Sequence, residues 1–150
     1  MPQNKAPADA SLLLDNQLCF ALYSASLAMT KFYKPLLDEL GLTYPQYLVM
    51  LVLWEQDGLM VSQLGTRLNL DSGTLTPLLK RLEALGFVTR IRDVHDERRV
   101  HITLTAEGRR LKARALKVPG CIRDAAQCSM SELVQLKRQL HGLRERLAAA

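Results

Sequence analysis

The chain is short of the features that mark exported, membrane-embedded or unstructured proteins. Three cysteines in 150 residues are too few, and odd in number, for the disulfide framework of a small secreted domain. The longest apolar run, Tyr47 to Trp54, has eight residues, against the roughly 20 of a membrane span. Glycine (8) and proline (6) are sparse, which excludes collagen-like and low-complexity chains. Met1 to Asp15 shows no basic stretch followed by an apolar one, so it reads as no export signal. His95, His101 and His141 lack ligand-type spacing with the cysteines, and neither a metal nor a cofactor is expected. A cytoplasmic protein with free thiols, and no membrane partner, is the expectation.

What is present fits a folded chain with a core of its own. Hydrophobic residues make up 48% of the 150, enough to bury a core in one domain, or one domain plus an oligomerisation arm. The net charge is +5, and it is unevenly placed. Residues 67 to 123 hold 13 basic and 6 acidic side chains, net +7, whereas the remainder is net −2. A basic segment within an acidic remainder is an electrostatic footprint for nucleic acid.

Periodicity divides the chain into a helical arm, a central lobe and a second helical arm. Leu18, Leu22, Ala25, Met29, Phe32, Leu36 and Leu40 form one stripe of a long helix. Pro35 should kink it or end its first half, and Gly41 should stop it. Thr43, Pro45 and Gln46 open a second helix through about Glu55. Ser62 is expected to cap a short third helix, Gln63 to Leu68. A turn at Asn69 to Asp71 leads into a fourth, closed by Gly86. Its opening has two readings: Asp71 caps it and Pro77 bends it, or Thr76 caps it with Pro77 at the first position. Leu75, Leu78, Leu79, Leu82 and Leu85 can face inward. Val100, Ile102 and Leu104 then alternate with polar residues as a strand, paired as a hairpin with the β-rich stretch Phe87 to Asp93. Thr105 opens a basic fifth helix that Pro119-Gly120 interrupts. Ser129-Met-Ser-Glu132 reads as the capping box of a last helix to about Leu147.

Two short helices joined by a tight turn, followed by an arginine-rich two-stranded wing, form a DNA-binding constellation. Ser72, Thr74, Thr76, Lys80 and Arg81 are left for solvent or DNA, as are Arg92, Arg98 and Arg99 of the wing. Asp71 to Gly86 and Arg92 to Thr105 resemble the MarR family of winged-helix regulators. The resemblance covers essentially the whole chain. It implies a mainly α fold with a small β-wing, and a homodimer that reads palindromic double-stranded operator DNA. Residues 10–42 and 105–148 would then be dimerisation helices and 45–104 the DNA-binding lobe of a single domain. The same resemblance implies that Asp71 and Arg98 pair, bracing the wing against the recognition helix.

Cys19 lies near the apolar stripe of the first helix, where a free cysteine is ordinarily a small buried hydrophobe. Tyr33 follows 14 residues later, about 320° of rotation and about 21 Å of rise. The two share a helix side but meet only if a second copy brings them together. Tyr44, before helix two, can approach the same place. The stretch from Leu14 to Trp54 is very similar to the organic hydroperoxide regulators within the MarR family. That resemblance implies that Cys19 senses the peroxide and that Tyr33 and Tyr44 of the other subunit hydrogen-bond its thiolate. It also implies a disulfide with a second thiol. Cys121 follows the Pro119-Gly120 break, where the chain could swing, and is preferred to Cys128, which precedes the capping Ser129. Three functions are weighed: a repressor released by organic hydroperoxide and restored by a thiol reductant, a regulator released by a phenolic ligand, and a thiol peroxidase. The first is preferred, because the central third is a winged helix rather than an enzyme scaffold.

Overall fold

The computed structural model describes residues 9–150. The part of the Met1 to Asp15 reading that concerns residues 1–8 lies outside the described residues. The chain divides into two units, one ending at Ala115 and the other Leu116–Ala150.

In the first unit, 3-10 turns at Ala10–Leu12 and Leu14–Asn16 precede helix α1, Leu18–Asp38. The regular helix thus starts later than residue 10. Side-chain amides of Asn16 and Gln17 donate to the carbonyls of Ala10 and Ser11 at 2.7 and 2.6 Å, which favours the tight turns over a continued helix. Pro35 does not end α1, which continues to Asp38. The stop comes at Gly41, whose φ of +72° suits a residue without a Cβ. Leu42 N–H reaches Leu37 O and Gly41 N–H reaches Asp38 O, both at 3.1 Å, a Schellman motif with Leu37 and Leu42 buried.

Helix α2 is Tyr44–Glu55. It opens with a full capping box: Thr43 N–H donates to Gln46 Oε1 at 2.9 Å, and Gln46 N–H to Thr43 Oγ1 at 3.4 Å. Its buried residues include Tyr47, Val49, Met50, Val52 and Leu53, which makes it the central helix. Burial of each such side chain contributes about 1.5–3 kcal/mol. Trp54 Nε1 donates to Gly108 O at 2.9 Å, tying α2 to helix α5, Ala106–Ala115.

Asp57 then builds a strand that the sequence did not announce. Its Oδ1 accepts from Gly58 N–H at 2.8 Å and from Leu104 N–H at 2.9 Å. This holds β1, Leu59–Met60, antiparallel to β3, Val100–Leu104, with Leu59 opposite Ile102. The sheet order is β1-β3-β2, where β2 is Val88–Arg92. Helix α3, Val61–Leu68, starts earlier than a Ser62 cap would allow. Met60 N–H donates to Gln63 Oε1 at 2.8 Å, which sets the boundary there.

Helix α4, Ser72–Ala84, follows a turn with Asn69 at φ 55°. Leu70 N–H donates to Gly65 O at 3.0 Å. A Cβ on Gly65 would stand only 2.7 Å from Leu70 O, so this turn closes only over a glycine. Of the two openings for α4, the first holds: Asp71 Oδ1 accepts from Thr74 N–H at 2.7 Å, and Pro77 lies inside the helix. Leu75, Leu78, Leu79 and Leu82 are buried, but Leu85 is 48% exposed because it caps the helix instead of facing the core. Thr105 joins the α4 stop to α5. Its hydroxyl donates to Gly86 O at 2.6 Å and accepts from Gly108 N–H at 3.0 Å.

The second unit holds α6, Val118–Ala126, and α7, Met130–Ala149. Pro119-Gly120 does not form an open break. Proline sits in the first turn of α6, where its missing N–H has no intrahelical partner to lose. Cys121 is therefore helical, its N–H donating to Lys117 O at 3.2 Å. The Ser129–Glu132 capping box forms as expected.

Candidate functional site

Two faces of the first unit carry chemistry. On α4, the buried leucine row forces Ser72, Thr74, Lys80 and Arg81 outward, and all four are exposed. Thr76 is half-buried, and its hydroxyl donates back to Ser72 O at 2.7 Å. The wing adds exposed Arg92, Arg98 and Arg99. Its loop is closed by Asp93 N–H to Arg99 O at 2.8 Å.

The Asp71–Arg98 brace is not formed. Asp71 is committed to capping α4, and the bonds from Thr74 hold its carboxyl below the usual aspartate range. Arg98, 93% exposed, lies with Nε 3.4 Å from Asp96 Oδ1, while Arg99 Nε is 3.7 Å from Asp96 Oδ2. The physical reason is proximity: a carboxylate two residues back, which also accepts Arg98 N–H at 3.0 Å, captures the guanidinium. Exposed pairs of this kind add little stability, so their effect is to gather two cations at the wing tip. Sequence reading missed a second wing contact. Asp93 Oδ2 lies 3.6 Å from His101 Nε2, and His101 Nδ1 lies 3.4 Å from Gly58 O. Asp93 also accepts His95 N–H at 2.8 Å, and that bond leads in holding its carboxyl low.

The other face belongs to α1. Cys19, in its first turn, is exposed, and so are its apolar neighbours Leu18, Phe20 and Leu22. Tyr33 and Tyr44, one on α1 and the other opening α2, meet edge to face at 5.2 Å and 64°. Tyr44 is therefore the first residue of a helix and not part of a loop. Burial, then Tyr47 and Tyr44 beside it, push the Tyr33 phenol up to about 12. It stays a protonated hydrogen-bond donor at neutral pH. Tyr47 is a member of this cluster that the sequence hid inside an apolar run. A hollow of about 480 Å³ beside Tyr44 is lined by Leu27, Lys31, Leu37, Leu42 and Pro45 among others. In the second unit Cys121 and Cys128 are half-buried, and the Cys128 thiol points to Ala126 O at 3.3 Å.

A helix–turn–helix with a β-wing and a basic outer face defines a winged-helix DNA-binding transcriptional regulator. Residues 31–115 match the transcriptional regulator SarA/Rot family. The chain is 54% identical, over 89% of its length and 91% of the other's, to the organic hydroperoxide resistance transcriptional regulator of Bacillus subtilis (strain 168). It is similar to AbfR of Staphylococcus epidermidis. Reduced AbfR bound to DNA superposes with a TM-score of 0.80 at 38% identity, covering 91% of this chain and 93% of that one. Disulfide-formed AbfR gives 0.61 at 37% identity, covering 94% of each. The chain belongs to the MarR/SarA family of winged-helix transcriptional regulators, in the organic hydroperoxide resistance branch. Its mainly helical architecture with a small antiparallel wing is the one that the sequence resemblance implied.

Proposed function

We propose that the chain is a peroxide-sensing repressor that holds operator DNA as a reduced homodimer and releases it when Cys19 is oxidised. The observation that carries this is the placement of Cys19. Its thiol is exposed among exposed apolar neighbours, on the same helix as Tyr33, which lies about 21 Å further along and pairs with Tyr44 of α2. A second copy laid against α1 would cover the apolar face and bring thiol and phenols together. The relative solved both reduced on DNA and as a disulfide supports a redox switch.

Phenol donors stabilise the Cys19 thiolate, which attacks the terminal peroxide oxygen. The O–O bond breaks, the sulfur becomes a sulfenic acid, and the alkoxide leaves and takes a proton to become the alcohol. A second thiol, Cys121 or Cys128, displaces water to give a disulfide, and two equivalents of a thiol reductant restore both cysteines. Apolar walls beside Tyr44 favour an organic peroxide by burial of its hydrocarbon part.

The hollow beside Tyr44 also favours a second reading, release by a small phenolic ligand. One gel-shift experiment separates them. Organic hydroperoxide should release the operator and dithiothreitol should restore binding. Release by a non-oxidising phenol, with no effect of hydroperoxide, would assign the site to ligand binding.

A further inference from the structure

The tyrosine pair rests on a third ring. Tyr47 lies one turn after Tyr44 on α2, and its centroid is 5.8 Å from Tyr33 and 6.5 Å from Tyr44. With Tyr33 and Tyr44 at 5.2 Å, the three rings close a triangle. Their depths differ. Tyr47 is 3% exposed, whereas Tyr33 and Tyr44 are half-buried.

The vertex held by the core is therefore Tyr47, with Gln46, Val49 and Met50 buried around it on the same helix. Close-packed interiors fix a ring's orientation. A fixed ring tilted 41° to Tyr33 and 48° to Tyr44 limits the tilts that those two can adopt. We propose that Tyr47 is a positioning residue of the thiol site, whose buried ring sets the angle between Tyr33 and Tyr44 and so the directions of their hydroxyls. This rests on the sensing role proposed above for Cys19. Two phenols stabilise one thiolate only if both O–H groups converge on it, because hydrogen bonds weaken steeply with angle. Tyr47 need not touch the sulfur or the peroxide to matter.

The test uses the full-length reduced protein with Tyr47→Leu and Tyr47→Phe. Tyr47→Met serves as a second ringless variant that fills more volume should the leucine variant not fold. Three quantities are measured: the rate of oxidation by cumene hydroperoxide, the pH midpoint of Cys19 alkylation by iodoacetamide, and operator affinity before oxidation. Removing the ring should slow oxidation roughly tenfold or more and move the alkylation midpoint upward, with operator affinity within about twofold of the parent. Tyr47→Phe, which keeps the ring, should restore both reactivity readouts. Parent-like reactivity in the ringless variants overturns the proposal. So does a Tyr47→Phe protein as slow as the ringless ones, which would make the hydroxyl the active group. Operator affinity falling in step with reactivity would reduce Tyr47 to a core residue and also overturn it. If Tyr33→Phe and Tyr44→Phe likewise leave the alkylation midpoint unmoved, the failure lies in the thiol–tyrosine site itself.

Discussion

Arg98 lies against Asp96, with Nε and Oδ1 3.4 Å apart, while Asp71 caps the recognition helix. Wing and helix are therefore ordered by separate carboxylates. Asp96 gathers Arg98 and Arg99 into one cationic tip, and Asp71 fixes the first turn of α4 by accepting from Thr74 N–H.

That separation gives different outcomes for the two charges in DNA binding. Arg98→Ala and Arg99→Ala should each weaken operator binding and flatten its salt dependence. The slope of log K against log[salt] should change by about 0.9 for each phosphate that is no longer neutralised, doubled in a symmetric dimer. Asp96→Asn should weaken binding with little change of slope, since it removes order and no cation. Fluorescence anisotropy across a salt series reads all three. An unchanged slope for both arginine variants would show that the wing does not neutralise phosphates.

Asp71→Ala should lower thermal stability by leaving Thr74 N–H uncapped. The carboxyl is held below its usual value in the fold, so its contribution is fully present above the ordinary aspartate range and is lost as pH falls below that range and through the depressed folded-state value. The gap in Tm between parent and variant should therefore close in acid. A gap that widened on acidification would contradict the capping role.

Gly65→Ala should destabilise by about 1–3 kcal/mol, because the added Cβ would sit 2.7 Å from Leu70 O in the turn between α3 and α4. Urea denaturation reads the loss, and operator affinity should fall with it. A fully stable Gly65→Ala protein would show that the turn relaxes freely.

Much of this was legible in the sequence because the signals are local. Thr43-Tyr-Pro-Gln46 and Ser129-Met-Ser-Glu132 spell capping boxes, and both form. Alternation at Val100, Ile102 and Leu104 marks β3. What stayed hidden depends on distant partners. Leu59-Met60 is too short to show any period and is a strand only because Asp57 and β3 receive it. Pro119-Gly120 is the same dipeptide whether it breaks a helix or begins one, and here it begins α6. Tyr47 sits in an eight-residue apolar run, and only the packing of α1 on α2 shows its place beside Tyr33.

The helical setting of Cys121 removes the swinging-hinge reason for preferring it, and Cys128 occupies the link between α6 and α7. Oxidation with one equivalent of hydroperoxide should give a single peptide joining Cys19 to one of these two thiols on non-reducing mapping. With both replaced by serine, the reaction should stop at the sulfenic acid or a mixed disulfide with added small thiol. A disulfide between Cys121 and Cys128 that excludes Cys19 would contradict the scheme.

The central claim, that oxidation of Cys19 is what releases DNA, is tested most directly by a gel shift of the Cys19→Ser protein with operator DNA and cumene hydroperoxide. Serine keeps the size and a hydrogen bond but forms no sulfenic acid. The expected result is operator affinity close to that of the reduced parent, and a complex that persists at hydroperoxide concentrations that dissociate the parent's. Release of operator from Cys19→Ser by hydroperoxide, reversed by dithiothreitol, would contradict it.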